Sequence, residues 1–248
     1  MAGTGNTQAR RVVILKTGST YPQIKDQFGD FDAWFTRGLS SQLQLTVVDV
    51  TQAPPPGHPS DWQGIVITGS PAMVSNREPW SEQAANWVRQ AVEANVPLLG
   101  VCYGHQLLAH AMGGKVDYHP KGRETGTRQV RLFAAAQSDP LFSLLPQTFP
   151  AQLTHKQSVL ELPPGAVLLG ESDCEPHQAF RVGDNAWGVQ FHPEFTEHIM
   201  KAHLEVQYPE LQAEGLDANG LMASVQPAEN AARLLQLFSE RILRHSET

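Results

Sequence analysis

The sequence predicts an α/β fold: a mainly parallel central sheet covered by helices. Three observations carry that prediction. Short continuous apolar runs, Val12-Val13-Ile14-Leu15, Gly64-Ile65-Val66-Ile67 and the run at 96–101, end at turn residues or at a cysteine between glycines. Strands buried on both faces read this way. Stretches of helical periodicity lie between them. The resulting order is strand, helix, strand, strand, helix, strand, helix, and such alternation builds parallel sheets with helical cover.

The first strand stops at Thr17-Gly18-Ser19-Thr20. Phe28, Phe31, Trp34, Phe35 and Leu39 then recur at helical spacing, with Asp30 or Asp32 as cap. Residues 45–50 form a second apolar run. Pro54-Pro55-Pro56-Gly57 rules out helix or central strand and marks a surface loop. The third strand ends in Thr68-Gly69-Ser70-Pro71. Trp80, Ala84, Trp87, Val88, Ala91 and Val92 give the next helix its apolar face, and Pro97 stops it. After the cysteine, Leu107, Leu108, Ala111 and Met112 share one side of a helix that Gly113-Gly114 ends. From 114 to 188 helical periodicity is weak. Short strands at 116–119, 128–133 and 166–171 are expected to add antiparallel or mixed pairing. Residues 180–191 read as a hairpin about Gly183-Asp184-Asn185. Ile199, Ala202, His203, Val206 and Leu211 mark one further helix, and residues 228–242 a last one. Asp217-Ala-Asn219-Gly220 has loop composition without calcium spacing.

The 248 residues, 41% hydrophobic, suffice for a sizeable core. A single domain over 10–245 is expected after a flexible N-terminus, 1–9. Net charge is −7 with no basic block, so no nucleic-acid partner is expected. Two cysteines, Cys102 and Cys174, make no disulfide framework and suit a reducing compartment. The polar N-terminus lacks the apolar core of a signal peptide, and no apolar run is long enough to span a bilayer. A cytoplasmic protein without membrane contact is the expectation.

The chemistry concentrates in two motifs. Gly100-Val101-Cys102-Tyr103-Gly104 joins a strand to a helix, the context of a nucleophile elbow. Side chains larger than hydrogen would clash beside so tight a turn. A cysteine at a helix N-terminus meets free N–H groups and the positive end of the dipole, which favour the thiolate. By itself this motif weighs evenly against a buried structural cysteine. His192-Pro193-Glu194, the second motif, ends the hairpin. The residue before proline is driven extended, and residues two apart in extended chain face one side. His192 and Glu194 would then project together, the carboxylate fixing the imidazole and the imidazole serving a nucleophile. Alone, His-Pro-Glu reads better as a polar turn, so the two motifs must be taken together. No catalytic metal is expected: the histidines lack the i,i+4 pair of a zinc helix and no CxxC occurs. Acidic neighbours make Cys174 inert.

Gly100-Val-Cys102-Tyr-Gly104-His-Gln106-Leu-Leu followed by Gly188-Val-Gln-Phe-His192-Pro-Glu194 resembles the class I glutamine amidotransferases, among them the glutaminase domain of GMP synthetase. Ile67-Thr68-Gly69-Ser70-Pro71 is similar to the family's oxyanion loop. The resemblance implies a flavodoxin-like three-layer fold with antiparallel strands added to the mainly parallel sheet. It implies a catalytic triad of Cys102, His192 and Glu194, and an oxyanion hole from Tyr103 and the Gly69-Ser70 loop. It implies substrate contacts from Gln106 and from the segment holding Thr154 and His155, and no cofactor. Where synthetase-linked relatives carry Ser-His-x-Asp, this sequence has Thr154-His155-Lys156-Gln157. A negative charge near the expected pocket mouth is thereby lost, and substrate and coupling stay open. The expected reaction is hydrolysis of the γ-amide of glutamine or of a γ-glutamyl compound through a thioester. With no ATP-pyrophosphatase domain after the last helix, ammonia would pass to a separate ATP-dependent synthetase subunit. Alternatively the chain hydrolyses glutathione-like γ-glutamyl peptides. An alternative of another class is a catalytically silent binding or regulatory module on the same fold.

Overall fold

A computed structural model describes residues 9–245. Nearly all of the expected flexible N-terminus, residues 1–8, lies outside the described residues. The chain begins β1 (Arg10–Lys16), α1 (Pro22–Phe28), α2 (Phe31–Gly38), β2 (Leu43–Asp49), β3 (Gly64–Ile67), α3 (Pro79–Glu93), β4 (Leu98–Val101) and α4 (Tyr103–Ala111). The strands β5 (Lys115–Tyr118), β6 (Glu124–Leu132), β7 (Thr148–His155), β8 (Gln157–Glu161), β9 (Val167–Glu171), β10 (Ala179–Val182) and β11 (Ala186–Val189) follow. The helices α5 (Glu197–Ala213), α6 (Ala218–Ala223) and α7 (Glu229–His245) close the chain.

One sheet has the order β2-β1-β3-β4-β11-β10-β9-β6-β7. The first five strands in that order run parallel, and β10, β9, β6 and β7 extend them by antiparallel pairing. This is the mainly parallel sheet with antiparallel additions that the sequence predicted. A separate two-stranded ribbon pairs β5 with β8. Alternation along β1 makes the layers. Val12 and Ile14 pack with Phe35 of α2 and with Leu235 and Phe238 of α7. Val13 and Leu15 face the opposite way, toward Ala84 and Val88 of α3 and Leu107 and Leu108 of α4. Successive side chains on a strand point to opposite faces, so a run that is apolar throughout needs helices on both. A third cluster joins Ile24, Phe31, Trp34, Phe195, Met200 and Leu204 beneath α5. Among the described residues no helix is long and apolar enough to cross a membrane.

Several local readings need correction. The periodicity from Phe28 to Leu39 is not one helix. Gly29, at φ 88°, breaks it, and Asp30 caps the second piece by accepting from the Phe31 N–H. Residues 148–155 and 157–161 are strands that the sequence reading passed over. Their alternation is masked because buried polar side chains, among them Gln152, His155, Gln157 and Ser158, stand where apolar ones would normally mark the inward face. The stretch at Asp217 is not simply loop: Asp217 accepts from the Gly220 N–H and caps the short α6. Gly100 and Gly104, in contrast, meet the predicted steric demand. A Cβ on Gly100 would lie 2.3 Å from the Gly104 carbonyl oxygen, and one on Gly104 would lie 2.5 Å from that of Ile67.

Candidate active site

Four strand ends meet at one rim of the sheet. β1 leads into Ser19 and Thr20, β3 into Gly69 and Ser70, β4 into Cys102, and β11 into the turn that carries His192. Parallel sheets place ligands beyond their carboxyl ends because the connecting loops gather there. A cavity of about 380 Å³ opens at this rim, with Cys102, Gln106, Thr154, His155 and His192 in its walls.

Cys102 is the residue between β4 and α4. Its φ of 54° with ψ of −102° is a conformation that residues bearing a Cβ rarely adopt. The elbow is held by the Cys102 N–H donating to Val189 at 2.9 Å and by the Gln106 N–H donating to the Cys102 carbonyl at 3.1 Å. The thiol donates to the Thr154 carbonyl at 3.6 Å. Tyr103 opens α4, so its N–H lacks an intrahelical acceptor. Its ring stacks on Trp80, its hydroxyl bonds Ser81 at 2.5 Å, and burial pushes that hydroxyl up to about 12.

His192 and Glu194 come together by a different route from the one expected. β11 ends at Val189, and residues 192–195 form a turn in which the Phe195 N–H reaches the His192 carbonyl at 3.3 Å. Strand alternation therefore does not align the pair; the turn does. His192 Nδ1 lies 3.0 Å from Glu194 Oε2 and 3.2 Å from Oε1. The imidazole is packed between Phe195, at 4.1 Å and 17°, and Phe31, at 6.2 Å and 12°. A Cβ on Gly69 would stand 3.1 Å from His192 Cε1, so that glycine leaves room for the ring. Burial alone would lower the His192 pKa. The charges of Glu194 and Cys102 overcome it and raise the value to about 10. Nε2 is buried and has no geometric hydrogen-bond partner. Buried polar atoms are nearly always satisfied, and the group that acts on this side of the ring is Cys102.

Gly69 and Ser70 lie at the rim as expected. The Gly69 carbonyl is tied back by Thr17 Oγ1 at 2.9 Å and by Thr68 Oγ1 at 3.0 Å. The Ser70 hydroxyl accepts from the Ala72 N–H at 3.0 Å. Gln106 lines the cavity, but its Nε2 is committed to the Gln157 carbonyl at 2.8 Å and to Gln190 Oε1 at 3.0 Å. Thr154 Oγ1 accepts from Gln207 Nε2 at 3.1 Å. The Gln157 side chain is buried and bonds Ser75. Cys174 is remote in chemistry as well as sequence: burial first, then Glu124, raises its thiol.

Sequence reasoning missed residues that reach the cavity from beyond α4. Arg123, paired with Glu210 at 2.8 Å and Glu214 at 3.0 Å, forms part of the outer wall with Gln207. Phe195, the residue after Glu194, stacks on both His192 and His203. An aromatic directly after His-Pro-Glu was the one available signal for it. Among the described residues no three His, Cys, Asp or Glu side chains converge to hold a metal ion.

A doubly layered α/β sheet with a strained cysteine elbow and a buried imidazole–carboxylate pair at one rim defines a class of thiol-bearing α/β proteins. Within it, the family model for "Glutamine amidotransferase class-I" matches residues 25–207, and the chain belongs to that family. The GMP synthase [glutamine-hydrolyzing] of Thermomicrobium roseum is 39% identical over 191 residues, 74% of this chain and 31% of that protein. That of Thermosipho africanus is 40% identical over 134 residues, 53% of this chain and 24% of the relative. The chain thus spans less than a third of these two curated relatives. A glutamine amidotransferase structure from Thermotoga maritima has the same fold, with a TM-score of 0.73 over 94% of this chain and 98% of that one, at 21% identity. Another, from Methylobacillus flagellatus, has a TM-score of 0.68 at 26% identity over 96% of this chain and 92% of that one.

Proposed function

We propose that the chain hydrolyses the γ-amide of glutamine, or of a γ-glutamyl compound, with Cys102 as nucleophile, His192 as general base and acid, and Glu194 as the group that orients the imidazole. The observation that carries this reading is the buried His192 ring, whose Nδ1 is held by Glu194 and whose other nitrogen is left to Cys102, the group that helps to raise its pKa. The sulfur, now on the Thr154 carbonyl, would exchange that contact for Nε2, as catalytic hydrogen bonds commonly tighten only with substrate bound.

With the proton already on His192, whose pKa Glu194 and Cys102 raise to about 10, the sulfur attacks the amide carbon as a thiolate. The N–H groups of Tyr103 and of the Gly69-Ser70 loop receive the negative charge on oxygen. Collapse breaks the C–N bond, His192 gives its proton to the leaving nitrogen, and ammonia or an amine departs. A γ-glutamyl thioester remains on Cys102. Water, losing a proton to His192, attacks it, and glutamate leaves as the thiol is restored. Ammonia would then be used by a separate ATP-dependent synthetase subunit.

A second reading, a peptidase for glutathione-like γ-glutamyl peptides, is favoured by the cavity's extent. It continues past Cys102 to Arg123, Lys156, Gln207 and Glu210, where a leaving group larger than ammonia would lie. The deciding experiment supplies purified protein with glutamine and with γ-glutamyl dipeptides and measures ammonia, free amino acid and glutamate together. Turnover that vanishes in Cys102→Ala supports the hydrolase, and the product pattern separates its two forms. No turnover of either substrate, with Cys102 unreactive to a glutamine-like electrophile, would instead leave a silent binding module.

A further inference from the structure

A second imidazole–carboxylate pair, outside the two motifs, has its imidazole in the cavity wall and its carboxylate behind it. His155, at the end of β7, has Nε2 2.7 Å from Glu124 Oε1 and Nδ1 2.7 Å from the Gln157 carbonyl. The His155 and Glu124 side chains are each 1% exposed. A backbone carbonyl can only accept, so Nδ1 carries a hydrogen. On the other side, Glu124 already accepts from Gln178 Nε2 at 2.8 Å and from Ser172 Oγ at 2.6 Å. Ser172 Oγ itself accepts from the Glu175 N–H at 3.1 Å and from Gln178 Nε2 at 3.0 Å, so its own hydrogen goes to Glu124. A carboxyl surrounded by donors is held as carboxylate, which leaves the remaining proton on His155 Nε2.

We infer that Glu124 keeps His155 as an imidazolium whose fixed charge, set in the cavity wall one residue from the carbonyl that contacts Cys102 Sγ, stabilises the thiolate. Glu124 is then a positioning residue for the nucleophile. The inference deepens the reading above and rests on its choice of Cys102 as the reactive group. Both N–H groups of His155 are committed to protein oxygens, so it acts through its charge and not by donating to sulfur or substrate. His192 has only Nδ1 committed to a protein oxygen, so its Nε2 proton can be passed on. The charged groups facing His155 are Glu124 from β6, Glu175 from the segment before β10, and Cys102 at the elbow; each favours its protonated form against the burial that opposes it. His105 of α4 is also near but is kept neutral, chiefly by burial, and Arg128 acts on Glu124. The pair also braces the wall. The Gln157 carbonyl that accepts from His155 accepts from Gln106 as well, which ties the elbow helix to β8.

Two measurements test this. Nitrogen-resolved NMR of the wild-type imidazoles should show His155 with both ring nitrogens protonated at neutral and mildly alkaline pH; a neutral ring there overturns the inference. In the second, Cys102 is alkylated with iodoacetamide as a function of pH. Glu124→Gln should raise the midpoint by about one pH unit, an about tenfold slower reaction below it, as loss of a nearby opposite charge does. Glu124→Asp should recover part of the shift, which a merely structural role would not produce. An unchanged midpoint in folded Glu124→Gln overturns the inference, and if that variant does not fold the wild-type NMR decides alone. Iodoacetamide needs no γ-glutamyl substrate. A shifted midpoint in a protein that turns over no such substrate would keep this inference and sink the hydrolytic reading.

Discussion

Gly100→Ala isolates what the elbow costs and what it delivers. The added methyl would meet the Gly104 oxygen at 2.3 Å, the Gly104 carbonyl carbon at 2.6 Å and the His105 nitrogen at 3.0 Å. All three are backbone atoms of the elbow and the start of α4, so no side chain can rotate away. Ordinary contact requires the start of α4 to retreat by about 1 Å from β4. Overpacking of that kind costs about 1–3 kcal/mol in a tight core. The same displacement moves Cys102 relative to His192, and a 1 Å error in a catalytic arrangement costs about 10²-fold in rate. Urea unfolding followed by tryptophan fluorescence reads the first effect, and release of glutamate from the preferred γ-glutamyl substrate reads the second. If the variant matched the wild type in both, the elbow would be slack and the steric account of Gly100 wrong.

Asp139 is buried and accepts from the Leu141 and Phe142 N–H groups at 2.9 Å, from Trp187 Nε1 at 3.1 Å, and from Arg181. Asp139→Asn leaves the shape but strands the Arg181 cation, and a loss of about 3 kcal/mol should appear in urea melts. His203, chiefly through burial, is held down to about 4 and stays neutral, with Nδ1 donating to Ile199 and Nε2 facing Thr20. A folded pKa below the unfolded one means stability present above pH ~6.5 and lost as pH falls through about 4, by up to about 3 kcal/mol. A stability curve flat across that window would remove His203 as the cause. Glu194→Gln keeps a hydrogen-bonding shape but removes the charge that raises the His192 pKa; hydrolysis should fall by about 10²-fold while the fold persists in circular dichroism. Wild-type turnover in that variant would deny Glu194 its orienting role.

The sequence alone determined the parallel half of the sheet and the two motifs at its rim. Runs such as 12–15 and 64–67 are apolar throughout because both faces are covered, and such a pattern is visible without neighbours. Gly100 was equally legible, because its clash with the Gly104 carbonyl is set within five residues, whereas Gly104 answers to the Ile67 carbonyl that only the fold brings near. Tertiary structure decided the rest. Whether His192, ninety positions downstream, would reach Cys102 depended on β11 pairing in parallel beside β4. The turn that joins His192 to Glu194 followed from packing against Phe31 and Phe195 rather than from strand alternation. The wall made by β6 to β9 hides its inward face behind Glu124, Gln152, His155, Ser172 and Gln178. These residues are polar in sequence and buried in the fold. Their hydrogen-bond partners are supplied by other strands, so no local pattern could have declared them interior.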